Sequence, residues 1–220
     1  MMLQIAGVLP PETVEKMRAS LVAEETSFAS GKDTAGWYAK DVKHNDQSKG
    51  PAAIAAMEQV KVALLGHGVF VSAARPKAFV KTLVSRYRPG MHYGAHVDDA
   101  LMGGVRTDLS FTLFLSEPST YDGGELVVEG HDGDTEVKLD PGSLVLYPTT
   151  SLHRVAEVTK GERLAIVGWV RSFMRSAEQR ETLFDLDQVV ANLKASNADR
   201  ALMNPVMKVR NTLTRMWAED

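Results

Sequence analysis

The chain has 220 residues, of which 44% are hydrophobic and 24% charged, with a formal net charge of −3. That length and balance fit one globular domain with a sizeable core, and the slight acidity gives no footing for a nucleic-acid surface. With 0 cysteines, disulfides, zinc fingers, iron–sulfur clusters and thiol nucleophiles are excluded. Any bound metal must be held by His, Asp or Glu.

No apolar run approaches the ~20 residues that span a bilayer. The segment from Met1 to Pro10 lacks a basic n-region and a long apolar h-region, so no signal peptide is expected. The expectation is a cytoplasmic protein with no membrane attachment.

Pro10, Pro11 and Glu12 open a first helix to about Glu25, with Val14, Met17, Leu21 and Val22 at helical spacing. Residues 27–50 are polar and read as a loop carrying Trp37 and the run Val42-Lys-His-Asn-Asp-Gln47. A second helix begins at Pro51, reaches about Leu65 and stops at Gly66 and Gly68. From Val69 to Val170 the pattern turns to short β-rich segments: 69–72, 78–88, 106–115, 125–129, 135–138, 143–147, 154–158 and 163–171. Asp122-Gly-Gly124, Asp140-Pro-Gly142 and Thr159-Lys-Gly161 supply turn chemistry between them. Strands at this spacing predict a sandwich or jelly roll.

After Phe173 the pattern is helical again. Ser176-Ala-Glu-Gln179 fits a capping box opening a helix to about Leu193. A last helix is predicted from Asn204 as cap and Pro205 as first helical residue, with Val206, Val209, Leu213 and Trp217 on one stripe. The expected fold is mainly β with flanking helices. Residues 1–173 form the principal domain, its core about 69–173, and residues 174–220 form a C-terminal helical extension. The apolar stripes of that extension are expected to pack on the barrel or to pair with a second subunit in a homo-oligomer.

The chemistry concentrates in three places. His96 and Asp98 lie two apart, so on an extended segment both side chains point to one side. His153 follows the strand 143–147, where the chain leaves the sheet through Pro148. Two imidazoles and one carboxylate on one face of a metal form the facial triad, whose open face suits Fe(II) with a co-substrate and O2. A chance His-x-Asp is the plainer reading of the pair alone. Arg163, however, follows His153 in the apolar stretch Arg163-Leu-Ala-Ile-Val-Gly-Trp-Val170. A turn at Lys160-Gly161 is expected to bring it back beneath His153. A buried guanidinium can fork onto the far carboxylate of a dicarboxylate such as 2-oxoglutarate; a sheet-edge arginine facing solvent is the alternative. Tyr87, Tyr93 and Thr149 are candidate hydroxyl donors to the same acid, or side chains that fill the barrel. Of the other histidines, His92 reads as a surface residue or a neighbour of the ligands, and His131 as solvated. His67 sits where a cation would meet a helix C-terminus, and His44 is a lesser candidate to face substrate.

These residues imply an Fe(II)- and 2-oxoglutarate-dependent dioxygenase that hydroxylates a small-molecule or peptidyl substrate and converts 2-oxoglutarate to succinate and CO2. A non-catalytic iron, oxygen or 2-oxoglutarate sensor on the same fold stays open. A zinc-dependent cupin-type isomerase is disfavoured, since it needs no dicarboxylate anchor at Arg163.

The run Arg86-Tyr-Arg-Pro-Gly-Met-His-Tyr-Gly-Ala-His-Val-Asp-Asp99, the turn Asp122-Gly-Gly-Glu-Leu126, and His153-Arg-Val155 with Arg163 resemble the prolyl 4-hydroxylase-like branch of the 2-oxoglutarate dioxygenases. The runs 42–47, 177–187 and 211–217 make the chain more closely similar to the bacterial PKHD-type hydroxylases. The resemblance implies a double-stranded β-helix, Fe(II), 2-oxoglutarate, L-ascorbate as reductant and a link to iron uptake. One departure stands out. Where many animal prolyl hydroxylases carry a tyrosine, this chain has Phe114, which cannot donate a hydrogen bond to 2-oxoglutarate.

Overall fold

The computed structural model describes residues 1–130 and 132–219; His131, expected in a solvated turn, lies outside them. The chain opens with β1 (Leu3–Ile5) and α1 (Pro11–Ala23). Then come β2 (Phe28–Ser30), β3 (Lys43–His44), β4 (Asp46–Ser48), α2 (Pro51–Gly66) and α3 (Gly68–Ala74). The central β region runs through β5 (Pro76–Tyr87), β6 (His92–His96), β7 (Leu101–Met102), β8 (Val105–Arg106), β9 (Leu109–Phe114) and β10 (Asp122–Gly123). It continues with β11 (Leu126–Val128), β12 (Thr135–Val137), β13 (Leu144–Pro148), β14 (His153–Val155), β15 (Val158–Lys160) and β16 (Arg163–Ser172). Helices α4 (Ala177–Ala195) and α5 (Arg200–Trp217) follow. Among the described residues no single helix is long and apolar enough to cross a membrane.

The strands form a seven-stranded sheet in the order β1-β13-β9-β16-β5-β4-β2 and a five-stranded sheet in the order β12-β11-β14-β6-β3. The pairs within both are antiparallel, giving the expected mainly β jelly roll. Strand β9 shows why the large sheet is buried on both faces. Leu109, Phe111 and Leu113 point outward and pack with Val14, Leu21, Val60, Leu64 and Phe70 of the helices. Phe114, on the other parity, packs between the sheets with Tyr87, Leu126, Val145, Tyr147 and Val155. A period of two thus serves two cores at once.

The structure corrects several sequence expectations, three of them in the placement of elements. Residues 69–72, read as a strand, lie in α3. A short apolar run does not separate strand from helix, and here Phe70 is buried against Phe79 and Phe111, with Val69 and Val71 exposed. His67 N-caps this helix, its Nδ1 accepting from the Phe70 amide at 3.5 Å. It therefore acts as an acceptor at a helix start as well as closing α2.

The polar segment 27–50 is not merely a loop. It adds β2 and β4 to one sheet and β3 to the other. Arg86 holds it, reaching Glu25 at 2.6 Å and Asp46 at 3.0 Å while lying 3.8 Å above the Phe28 ring. The last helix starts at Arg200 rather than Pro205. Asp199 caps it by accepting from the Ala201 amide, and Pro205 lies inside.

The C-terminal helices dock through one carboxylate. Asp187 accepts from Ser72 Oγ at 2.6 Å, Arg75 Nη2 at 2.7 Å and Arg210 Nε at 2.5 Å, so α3, α4 and α5 meet at this side chain. Burial alone would raise its pKa, but the hydrogen bonds from Arg210 and Ser72 and the nearby guanidinium charges hold it below the ordinary 3.8. A carboxylate depressed in this way contributes stability above its unfolded pKa and loses it as pH falls through the folded value. Asp187→Ala is expected to lower stability by about 1–3 kcal/mol at neutral pH, measured by urea unfolding. The gap to the parent should close as the pH is taken below 3.8.

Candidate metal centre

Strand pairing assembles the site. His96 closes β6 and His153 opens β14, and the two are direct partners in the ladder, with ring centroids 4.3 Å apart. Asp98 follows beyond the end of β6, and one ligand atom from each of the three residues lies within 4.8 Å of the others. Asp98 Oδ1 is 4.0 Å from His96 Nε2, and Oδ2 is 3.8 Å from His153 Nε2. The three atoms converge without bonding one another, as donors around a central ion would.

The backbone sets the tautomers. His96 Nδ1 donates to the Gly94 carbonyl at 2.8 Å and His153 Nδ1 to the Ser151 carbonyl at 3.0 Å. Each Nε2 is therefore left with its lone pair toward the centre. Burial, with His153 beside it, pushes the His96 pKa down to about 4, so the ring is neutral and free to coordinate at physiological pH. Ser110 Oγ donates to Asp98 Oδ2 at 2.6 Å and orients that carboxylate. Tyr93 stacks on His96 at 3.6 Å and Tyr147 meets His153 edge-on at 5.1 Å.

Arg163, at 1% exposure, lines the same cavity as the three residues. It opens β16 opposite Tyr87 of β5. The turn at Lys160-Gly161 does not form the expected hairpin beneath His153, because β15 pairs with β10 instead. The guanidinium lies between the rings of Tyr87 at 5.3 Å and Phe114 at 5.2 Å. Its Nε is buried without a hydrogen-bond partner, and among the described residues no carboxylate pairs with it.

Tyr87 and Tyr93 line the cavity; Thr149 does not. The Thr149 hydroxyl donates to the Thr107 carbonyl at 2.9 Å, pinning the turn that leads to His153. Where Phe114 offers no donor, buried Tyr147 supplies a phenol in the same cavity, hydrogen-bonded to Thr112. Its inward parity with Val145 on β13 was the available signal. His44 and His92 face each other at 5.9 Å and neither lines the cavity. Lys43, Asn45, Gln47, Lys81, Ser110 and Trp169 do, and sequence reasoning had not singled them out as site residues.

Residues 82–171 match the family model described as the 2OG-Fe(II) oxygenase superfamily. Over its full length the chain is 51% identical to a PKHD-type hydroxylase of Maricaulis maris, covering 100% of both chains. It is 50% identical to a PKHD-type hydroxylase of Parvibaculum lavamentivorans, again covering 100% of each. The crystal structure of a Pseudomonas putida prolyl-4-hydroxylase superposes with a TM-score of 0.56 at 25% identity, over 78% of this chain and 92% of that one.

Gly94 gives a test of how the site is held. A Cβ there would fall 2.8 Å from Val42 Cβ, while the Gly94 amide donates to the Val42 carbonyl at 2.9 Å and its own carbonyl anchors His96. Gly94→Ala is expected to push β3 off β6 and cost about 1–3 kcal/mol, read by chemical unfolding of the metal-free protein.

Proposed function

The chain belongs to the PKHD-type hydroxylases of the 2OG-Fe(II) oxygenase superfamily and is a 2-oxoglutarate-dependent hydroxylase; on that footing we propose that His96, Asp98 and His153 hold its Fe(II) and that Arg163 anchors 2-oxoglutarate. The observation that carries this reading is a single cavity with three converging ligand atoms and a sealed guanidinium lacking a carboxylate partner. Both fit the groups in question. Two imidazoles and a carboxylate suit Fe(II) with positions left open, and an unpaired buried cation calls for an anion. When bound, Fe(II) with 2-oxoglutarate supplies the O2-dependent oxidation, releasing succinate and CO2.

The protein's own contribution is positioning. The Gly94 and Ser151 carbonyls fix the two rings, and Ser110 fixes the carboxylate. Arg163 takes the far carboxylate of 2-oxoglutarate in bidentate fashion, with the Tyr87 hydroxyl from the paired strand as a second donor. Tyr93 covers one face of His96 and keeps water from it. Tyr147 takes the place that Phe114 cannot fill as a donor.

We further propose L-ascorbate as reductant and a link to iron uptake, with O2 as co-reactant and either a small-molecule or a peptidyl substrate. We place the protein in the cytoplasm. We take residues 1–173 as the catalytic unit and 174–220 as its helical extension. Exposed Leu202, Val209 and Met216 on α5 are the surface on which a homo-oligomer would form.

His96→Ala, Asp98→Ala and His153→Ala are each expected to abolish 2-oxoglutarate decarboxylation while the fold, followed by circular dichroism, is kept. Undiminished turnover in any one would remove that residue from the ligand set. Arg163→Ala should preserve iron binding but cost about 2–5 kcal/mol in co-substrate affinity, seen in anaerobic titration of the Fe(II)–2-oxoglutarate charge-transfer band. Loss of iron affinity with the co-substrate requirement unchanged would make Arg163 a purely structural residue.

A further inference from the structure

The run 42–47 has no role in the reading above, yet three of its side chains line the cavity. Lys43 is the most unusual. It is only 5% exposed, and its Nζ donates to Thr34 Oγ1 at 2.9 Å and lies 5.0 Å from the centre of the Tyr93 ring. Tyr93 in turn stacks on His96, so one aromatic ring separates this ammonium from the triad. Lys81, on β5, lines the same cavity and is close enough to act on Lys43 electrostatically. Among the described residues neither lysine forms an ion pair.

The two cationic ends of the cavity are distinct. Arg163 is the partner of Tyr87 in the β16–β5 ladder, and Lys81 is the partner of Trp169 further along the same two strands. At about 3.3 Å per residue the two positions lie about 20 Å apart. Ser110, which holds Asp98, pairs with Trp169. The triad lies between the two ends: Tyr147, which meets the His153 ring, feels the charges of both Asp98 and Arg163, and Asp98 in turn acts on Lys43. A co-substrate carboxylate on Arg163 leaves Lys43 and Lys81 to another anion.

We propose that Lys43 and Lys81 form the anchor for the primary substrate, and that this substrate carries a carboxylate held beside the metal centre. The inference rests on the metal and Arg163 assignments above. Two ammonium groups in one partly desolvated cavity repel each other and lose hydration, and a substrate anion offsets both costs. Burial, then Lys81, already brings the Lys43 pKa down to about 8, against the pull of Asp98. Asp99 lines the same cavity against Gly36. With Asp98 neutralised by a metal, two cations face this one remaining carboxylate, a balance that favours a monoanion. Asn45 and Gln47 add a polar wall behind the lysines, with Asn45 Nδ2 donating to Ser85 Oγ at 2.8 Å.

The test uses the full chain loaded anaerobically with Fe(II) and saturating 2-oxoglutarate, which occupies the Arg163 end. N-acetylglycine is titrated by calorimetry beside its neutral analogue N-acetylglycinamide. The acid is expected to bind at least about tenfold more tightly than the amide, the equivalent of one charge-assisted hydrogen bond. Lys43→Met and Lys81→Met should each bring the acid toward the amide's level, and Lys43→Arg should keep most of the preference. Acid and amide binding alike to the parent, or not at all, overturns the proposal, as does an unchanged preference in Lys43→Met. The charge-transfer band separates the two readings. If it forms in the parent but is lost in Lys43→Met, the lysine serves 2-oxoglutarate and the substrate anchor is refuted. If the parent itself forms no such band, the metal and co-substrate assignment is what has failed.

Discussion

The pairing of β14 with β6 is the constraint on which the site depends. It sets His153 directly opposite His96, and that one ladder contact turns residues remote in sequence into neighbours. Asp98 then needs only to continue past the strand end to reach the same point. The hydrogen bonds from the two Nδ1 atoms to backbone carbonyls make the arrangement a property of the strands themselves. Side-chain entropy is spent during folding rather than on binding an ion.

The large sheet supplies the rigid floor. Its strands β9, β13 and β16 are buried on both faces, by the second sheet on one side and by the helices on the other. A charged side chain in such a strand stays only if it is paired or has a ligand to meet. Arg163 has no acidic partner among the described residues, whereas Arg75 has Asp187 and Arg86 has Glu25 and Asp46. The contrast sets Arg163 apart from the arginines that hold the fold together and is what favours it as the proposed co-substrate anchor.

Regions with a clean apolar period were readable in advance. The α1 and α2 helices, the long strands β5 and β16, and the Ser176 cap of α4 fall where spacing and capping chemistry place them. The misreadings have separate local causes. Strands β3 and β4 and the residue between them carry Lys43, Gln47 and Asn45 inward against a polar cavity, so hydrophobic alternation could not report them. Strand β6 alternates His92, Gly94 and His96 on one face, with no apolar residue among them, so a hydrophobic period could not report it either. In α3, a brief apolar run carried no period long enough to decide between helix and strand. At the last helix, Asp199 offered an earlier cap than the Asn204-Pro205 pair, and the helix tolerated the proline.

By itself the sequence pointed to the candidate metal-ligand set and the candidate anchor at Arg163, and it determined the jelly-roll class. Those follow from residue chemistry, from a two-residue spacing on an extended chain and from turns at regular intervals, all of them local. Only the tertiary structure decided which other side chains share the cavity. Lys43 and Lys81, Tyr147 in place of Phe114, and Ser110 behind Asp98 come together through ladders between segments far apart in the chain. Thr149 is turned away from the cavity by its bond to Thr107. Register selects which face of a strand looks inward, and register is a property of pairs of strands that no single strand carries.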